Sequence, residues 1–226
     1  MFQIEFQGPV RQILTIVAAC IMLGLFLTPL VFYPLKVWLI ERRRVRSVLR
    51  SQIRELRDLA ERVGSPYHMA RLGAALVEAG EVDEAIDWLR RALDADPGDA
   101  DARFHLARAY LERNEAGRAR ELLEPLVDRD PSYAYGEAAL LYARAVEECG
   151  SPDQALAAYE RLLRYYPNNP EGSYRYAMLL HRLGRSEEAK QVLQEMVRAI
   201  ENGPSFQRQR QRAWLRRAKQ WLTLHP

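Results

Sequence analysis

Only two cysteines, Cys20 and Cys149, occur in the chain. Two thiols so far apart build neither a disulfide framework nor a four-cysteine metal site, and their scarcity fits a reducing compartment. Histidine is nearly as scarce. His68, His105, His181 and His225 stand singly, and no His-Glu-x-x-His pair exists to hold zinc. A glycine-rich phosphate loop and a Gly-x-Ser-x-Gly elbow are missing too. The acidic pairs Glu147-Glu148 and Glu187-Glu188 read as helix-surface charge. These absences remove the common routes to metal, nucleotide and acyl-transfer chemistry, so the sequence predicts no enzyme and no cofactor. Lysine is rare as well, three residues against thirty arginines. Arginine-heavy usage fits a GC-rich genome and points to a bacterial source.

What is present is a globular composition with uneven charge. Hydrophobic residues make up 48% of the chain, which excludes disorder. Residues 1–60 carry nine cations against four anions, residues 61–204 eighteen against twenty-six, and residues 205–226 six cations and no anion. An acidic middle between basic ends reads as separate segments.

The first segment is an uncharged run of 24 residues, QILTIVAACIMLGLFLTPLVFYPL, residues 12–35. At about 1.5 Å rise per residue it exceeds a hydrocarbon core of roughly 30 Å. Tyr33 and Trp38 stand where interfacial aromatics belong. The run predicts one transmembrane helix after a short tail, residues 1–11. A cleaved signal peptide wants a basic leader and a shorter apolar stretch, whereas MFQIEFQGPV carries Glu5 and no cation. Val17-Ala18-Ala19-Cys20 resembles a lipoprotein cleavage box, but the uncharged run continues well past it. Cys20 therefore reads as a small apolar residue within the span.

Eight cations follow the span within residues 36–57: Lys36, Arg42, Arg43, Arg44, Arg46, Arg50, Arg54 and Arg57. Arg11 alone precedes it. Positive residues flanking a span stay on the cytoplasmic side. The expectation is a single-pass protein of the inner membrane, its N-terminus outside and the remainder cytoplasmic. Anionic headgroups would add roughly 1 kcal/mol per nearby cation. Nucleic acid is the poorer explanation for this cluster, which abuts the bilayer and offers only Trp38 for base stacking. Residues 36–64 read as a basic amphipathic helix. Its apolar positions Leu49, Ile53, Leu56, Ala60 and Val63 alternate by four and three, a seam of about two heptads. Docking onto the next element is favoured over a dimer zipper, and a homo-oligomer stays open.

Beyond Gly64 the chain repeats. Ala85, Ala119, Ala155 and Ala189 are spaced 34, 36 and 34, and Pro97, Pro131 and Pro167 are spaced 34 and 36. Small residues recur in phase at Gly73, Ala107, Ala143 and Ala177. Each unit predicts two antiparallel helices whose backbones approach across these small positions, with Leu72, Leu89 and their equivalents filling the space around them. Gly80, Asn114, Gly150 and Gly184 fall where the first helix must close with positive φ. Ser65-Pro66, Ser151-Pro152 and Asn169-Pro170 read as N-caps followed by a first-turn proline. The third unit is two residues longer, between Pro131 and Ala143, which predicts a longer first helix there.

This pattern, over residues 66–201, resembles the tetratricopeptide repeat (TPR) family, and the layout resembles its N-terminally membrane-anchored type. The resemblance implies an all-α fold: one N-terminal transmembrane helix, then a right-handed TPR α-solenoid of four helix pairs over residues 65–204. Residues 205–226 would cap it, with Phe206, Ala213, Trp214, Ala218, Trp221 and Leu222 facing inward and Trp214 a buried anchor. The resemblance also implies a concave groove lined by the first helices. Carried over position by position, that groove holds Tyr67, Ala70, Ala74 and Val77, then Asp101, Phe104, Arg108 and Leu111. Glu137, Leu140, Arg144 and Glu147 follow, then Glu171, Tyr174, Met178 and His181. Arginine and tyrosine dominate binding hot spots, so the expected function is an adaptor or scaffold that holds a partner protein or peptide at a membrane. Ala70 and Ala74 stand where chaperone-binding members clamp a carboxylate, so that mode is not expected. Two alternatives stay open: anionic-lipid or nucleic-acid binding through the basic C-terminal helix, and self-assembly.

Overall fold

The computed structural model describes residue 37 and residues 47–225. The predicted span at 12–35 lies outside the described residues, as do Lys36, Arg42, Arg43, Arg44 and Arg46 of the basic cluster. Among the described residues no helix is long and apolar enough to cross a membrane, and no strand occurs. Helix α1 covers 47–63. Then come α2 (Pro66–Ala79), α3 (Val82–Ala95), α4 (Ala100–Glu112) and α5 (Ala116–Arg129). They are followed by α6 (Glu137–Cys149), α7 (Pro152–Tyr165), α8 (Pro170–Arg182), α9 (Ser186–Asn202) and α10 (Ser205–Leu224). A compact unit begins at Ile53.

Within that unit α2/α3, α4/α5, α6/α7 and α8/α9 pack as pairs, and each second helix packs on the next first helix. The small positions explain the closeness. Ala107, Ala143 and Ala177 are fully buried, as are Ala85, Ala119 and Ala189 opposite. At Gly73 an added Cβ would lie 2.4 Å from Leu89 Cγ, so the leucine fills the volume a side chain would need. Leu72, Leu76, Leu89, Leu123, Tyr159, Leu162, Leu180 and Leu193 complete the interior. Each such burial stabilises by about 1.5–3 kcal/mol relative to exposure.

The turns inside the pairs follow the expected chemistry with one exception. Gly80, Asn114 and Gly184 have φ of 81°, 60° and 81°. The next residue closes back each time: Glu81 N donates to Leu76 O, Glu115 N to Tyr110 O and Arg185 N to Leu180 O. These are six-to-one closures that satisfy orphan carbonyls. Gly150 departs from the expectation, with extended backbone at φ −101° and ψ −175°. The reason lies one residue on. Ser151 N donates to Gln154 Oε1 at 3.1 Å, completing a capping box, and so is taken up before it can close the preceding helix. Asn169 and Asp99 also cap through their side chains, accepting from Gly172 N and Ala102 N. Ser65 does not. Only its backbone carbonyl serves the first turn of α2.

The longer third unit is not a longer helix. Helix α6 has 13 residues, as do α4 and α8. The extra length forms a single tight turn, Tyr133–Gly136, in which Ala134 (φ 51°), Tyr135 (φ 56°) and Gly136 (φ 84°) are all left-handed. Both ends of this turn are tied down. The Tyr133 hydroxyl donates to Asp101 while its ring packs on Phe104, and Gly136 lies so close to the Tyr166 ring that a Cβ would approach it to 2.4 Å. The surplus residues bulge between the two anchors.

Both ends of the array are covered. Helix α1 docks through Ile53 and Ala60, both buried, and through Arg57, whose guanidinium donates three times to Glu84, from Nε at 3.2 Å and from Nη2 at 2.8 and 3.0 Å. Val63 is exposed, so the apolar seam ends at Ala60. Helix α10 packs on α9 and α8 through Ala218 and Trp221, and Lys219 pairs with Glu201 at 2.5 Å. Trp214 is only half-buried, and Phe206 and Ala213 are exposed, correcting the expected anchor set.

Candidate functional site

The first helices touch along the array, α2 with α4, α4 with α6 and α8 with α10. Their shared face is where the sequence places the groove. Its first half turns out to be largely closed. Phe104 and Leu111 are buried, the former between His105 and Tyr133, and Ala70 and Val77 are buried too. These residues join neighbouring helices and present little surface to a partner. Tyr67 is exposed, with Arg71 over its ring. Arg108 is about one-third exposed and lies 3.9 Å from Glu112. His105 sits beside it with Nδ1 unpartnered. Burial, helped by the Arg108 charge, pushes its pKa below the ordinary histidine value.

The second half is open and polar. Leu140 is half-buried on α6. Glu147 is the hub. It accepts from the Tyr159 hydroxyl at 2.6 Å and from Arg182 at 2.5 Å, and Arg175 lies 3.7 Å away. Glu171 accepts from Arg175 Nε at 2.9 Å and lies 4.0 Å from Arg144, whose own Nε is buried without a partner. This chain of charges ties α6 to α8. Burial works against the Arg175 charge, yet Glu171 and Glu147 outweigh it and raise its pKa. Burial, reinforced by Glu147, pushes the Tyr159 hydroxyl far above the usual range.

Helix α10 completes the face. Tyr174 packs on Trp214 with ring centroids 5.6 Å apart, and His181 meets Trp221 edge-on at 5.2 Å. His225 stacks on Trp221 at 4.3 Å and its Nδ1 lies 3.0 Å from the Trp221 carbonyl, closing the end of the helix. Trp214 lines two cavities beside α10, one against α8 and one against the α7–α8 connection, and together they are the trough. The smaller, about 390 Å³, is lined by Glu147, Tyr174, Arg175, Met178, Arg182 and Arg217, with His181 and Trp214 beside them. The larger, about 710 Å³, lies among Tyr135, Tyr165, Tyr166, Phe206, Arg210 and Trp214. Of the groove residues predicted from sequence, the structure brings Glu147, Tyr174, Met178 and His181 together here. Arg144 stands next to them through Glu171, and Tyr67 and Arg108 remain apart. Among the described residues no group of His, Cys, Asp and Glu is arranged to hold a metal ion.

Sequence reasoning missed Arg175, Arg182, Arg210 and Arg217 as trough residues, though two signals could have found them. Arg175 and Arg182 fall four and eleven residues after Glu171, on the same helical stripe. Adding the 36-residue spacing once more to Glu171, Tyr174, Met178 and His181 gives Gln207, Arg210, Trp214 and Arg217. Helix α10 is thus a fifth first helix in groove register. Ala213 takes its small position, and it stays exposed because no second helix pairs with it.

Comparison with known proteins agrees with the repeat fold. Residues 31–202 match the tetratricopeptide repeat family. The TPR repeat-containing protein YpiA of Bacillus subtilis (strain 168) is 30% identical over 127 residues, 56% of this chain and 29% of that protein. Cellulose synthase operon protein C of Pseudomonas fluorescens (strain SBW25) is 32% identical over 128 residues, 57% of this chain and 10% of that protein. The matches thus span less than a third of either curated relative. Among solved structures, MamA from Desulfovibrio magneticus RS-1 superposes with a TM-score of 0.66 at 17% identity, covering 73% of this chain and 93% of that one. YrrB, a TPR protein with an unusual peptide-binding site, superposes with a TM-score of 0.60 at 16% identity, covering 69% and 80%. At such identities the likeness is one of fold.

Proposed function

Because the chain belongs to the tetratricopeptide repeat family, we propose that it is a non-enzymatic adaptor that holds a protein or peptide segment along the first-helix face of its last units. The observation that carries this reading is the trough between α8 and α10, where Tyr174, Trp214 and several arginines converge. Aromatic and arginine side chains around a concavity are the composition of binding hot spots. YrrB, with its peptide-binding site, lends the reading support by fold. The uncharged run at 12–35 and the cations behind it support a single-pass anchor in an inner membrane, with the helical repeats on the cytoplasmic side.

Two experiments test the two halves of the proposal. The full chain and its Tyr174→Ala/Trp214→Ala variant are purified from native membranes, and their co-purifying proteins are compared by quantitative mass spectrometry. The variant should keep its helicity and lose the partners. An identical partner list from a folded variant would refute the groove reading. For orientation, Cys149 is exposed, so an impermeant thiol reagent should label it after native lysis but not in intact cells. Labelling in intact cells would place the repeats outside.

A further inference from the structure

We propose that the trough takes an acidic peptide segment with an apolar anchor residue, its carboxylates on Arg217 and Arg210 and its anchor among the exposed rings at the start of α10. The proposal rests on the groove reading above and names the chemistry of its partner.

Charge is the first argument. The smaller cavity carries Arg175, Arg182 and Arg217 against one carboxylate, Glu147, and the larger carries Arg210 and no acid. Arg175 and Arg182 already share Glu147 and Glu171. Among the described residues Arg217 pairs with no carboxylate. It stacks over the Trp214 ring at 4.7 Å, with its donor edge unspent. Arg210 is exposed and pairs with none of the described carboxylates either. Two unneutralised guanidiniums on one helix stripe favour an anionic ligand, and their planar forks suit carboxylate oxygens.

Backbone strain is the second. Ala134 and Tyr135 sit in the left-handed region, which costs free energy in a residue with a Cβ. No packing of the Tyr135 side chain repays it, since that residue is 96% exposed. The turn instead holds the ring out on the rim of the larger cavity, facing a space shared with Tyr165 and Phe206, themselves 56% and 61% exposed. Three large exposed rings on one cavity, with Asn168 and Gln207 lining it too, offer an apolar seat with amide donors for a peptide backbone. A flat bilayer would not enter this concavity. It would meet Arg208, Arg212 and Arg216 on the opposite face of α10.

The test is a selection of random peptides displayed on phage against the full chain in mild detergent, with the Tyr174→Ala/Trp214→Ala variant as counter-selection. Retained peptides should be enriched in aspartate and glutamate around an aromatic or proline residue. A labelled synthetic copy should bind with an affinity that falls steeply with salt. Arg210→Glu/Arg217→Glu should weaken it on the order of ten- to a hundredfold. Arg212→Glu/Arg216→Glu, with the same change in net charge on the opposite face, should leave it within about twofold. Circular dichroism verifies that both variants are folded. Enrichment of neutral or basic peptides, or equal losses in the two variants, overturns the acidic assignment and leaves the groove reading standing. No enrichment, or peptides that bind the counter-selection variant equally, overturns both. Loss of peptide binding in the presence of anionic but not zwitterionic vesicles, with the Arg212→Glu/Arg216→Glu variant resistant, would assign the basic helix to lipid and overturn the proposal.

Discussion

The two tryptophans of α10 should separate stability from binding. Trp221 is 8% exposed and packed against His181 and His225, whereas Trp214 is partly exposed beside Tyr174. A tryptophan side chain buries on the order of 200 Å². At about 25 cal/mol per Å² its removal costs about 5 kcal/mol, the upper end of the 3–5 kcal/mol seen for large aromatic truncations. Trp214 is partly exposed and gives up roughly three-quarters of that area, so its removal should cost about 3–4 kcal/mol. Stability in a repeat array is a sum of neighbour interfaces, so the damage falls on the terminal helix before the whole chain. Trp221→Ala should therefore lower amide-exchange protection across α10 by roughly several thousandfold, and Trp214→Ala by roughly several hundredfold. Protection in α2 to α7 should hardly change in either. Exchange mass spectrometry on the purified full chain measures both. An equal loss in the two variants, or a larger one for Trp214→Ala, would refute the assignment of Trp221 as anchor and Trp214 as binding surface.

Further outcomes follow from particular geometries. Tyr135→Asn should raise the unfolding midpoint by about 0.5–1 kcal/mol equivalent, because asparagine tolerates the left-handed region and the exposed ring gives up no packing; a fall would show that the ring is held by the protein itself. Ser151→Ala should cost about 1 kcal/mol by opening the capping box of α7, whereas Ser65→Ala should cost far less because that side chain caps nothing; equal effects in urea unfolding would contradict the geometry. His105 has a folded pKa below its ordinary 6.5. Its contribution to stability is therefore complete above that value and is lost as pH falls through it and the buried ring is forced to protonate. His105→Gln should flatten the decline in melting temperature as pH falls below the ordinary histidine range, and an unchanged slope would remove His105 as its source.

The sequence by itself determined the repeat. A helix pair cannot approach closely unless small residues recur in phase, and Gly73, Ala107, Ala143 and Ala177 opposite Ala85, Ala119, Ala155 and Ala189 write that constraint directly into the chain. The closures at Gly80, Asn114 and Gly184 were legible for the same local reason, since only a few residues accept positive φ. What lay in the site was less legible. Phe104 and Leu111 have the spacing of groove residues, but spacing gives only the face, and neighbouring helices decide whether that face is open. Gly150 has the composition of a left-handed closure, yet Gln154 claims the amide that would complete it. The two added residues before α6 could have lengthened a helix, and only the anchors at Tyr133 and Tyr166 turn them into a bulge that exposes Tyr135. The trough itself needed tertiary structure most of all. It is made by α10 lying beside α8 as an unpaired first helix, and its arginines become a site only where that packing sets them against Tyr174 and Trp214.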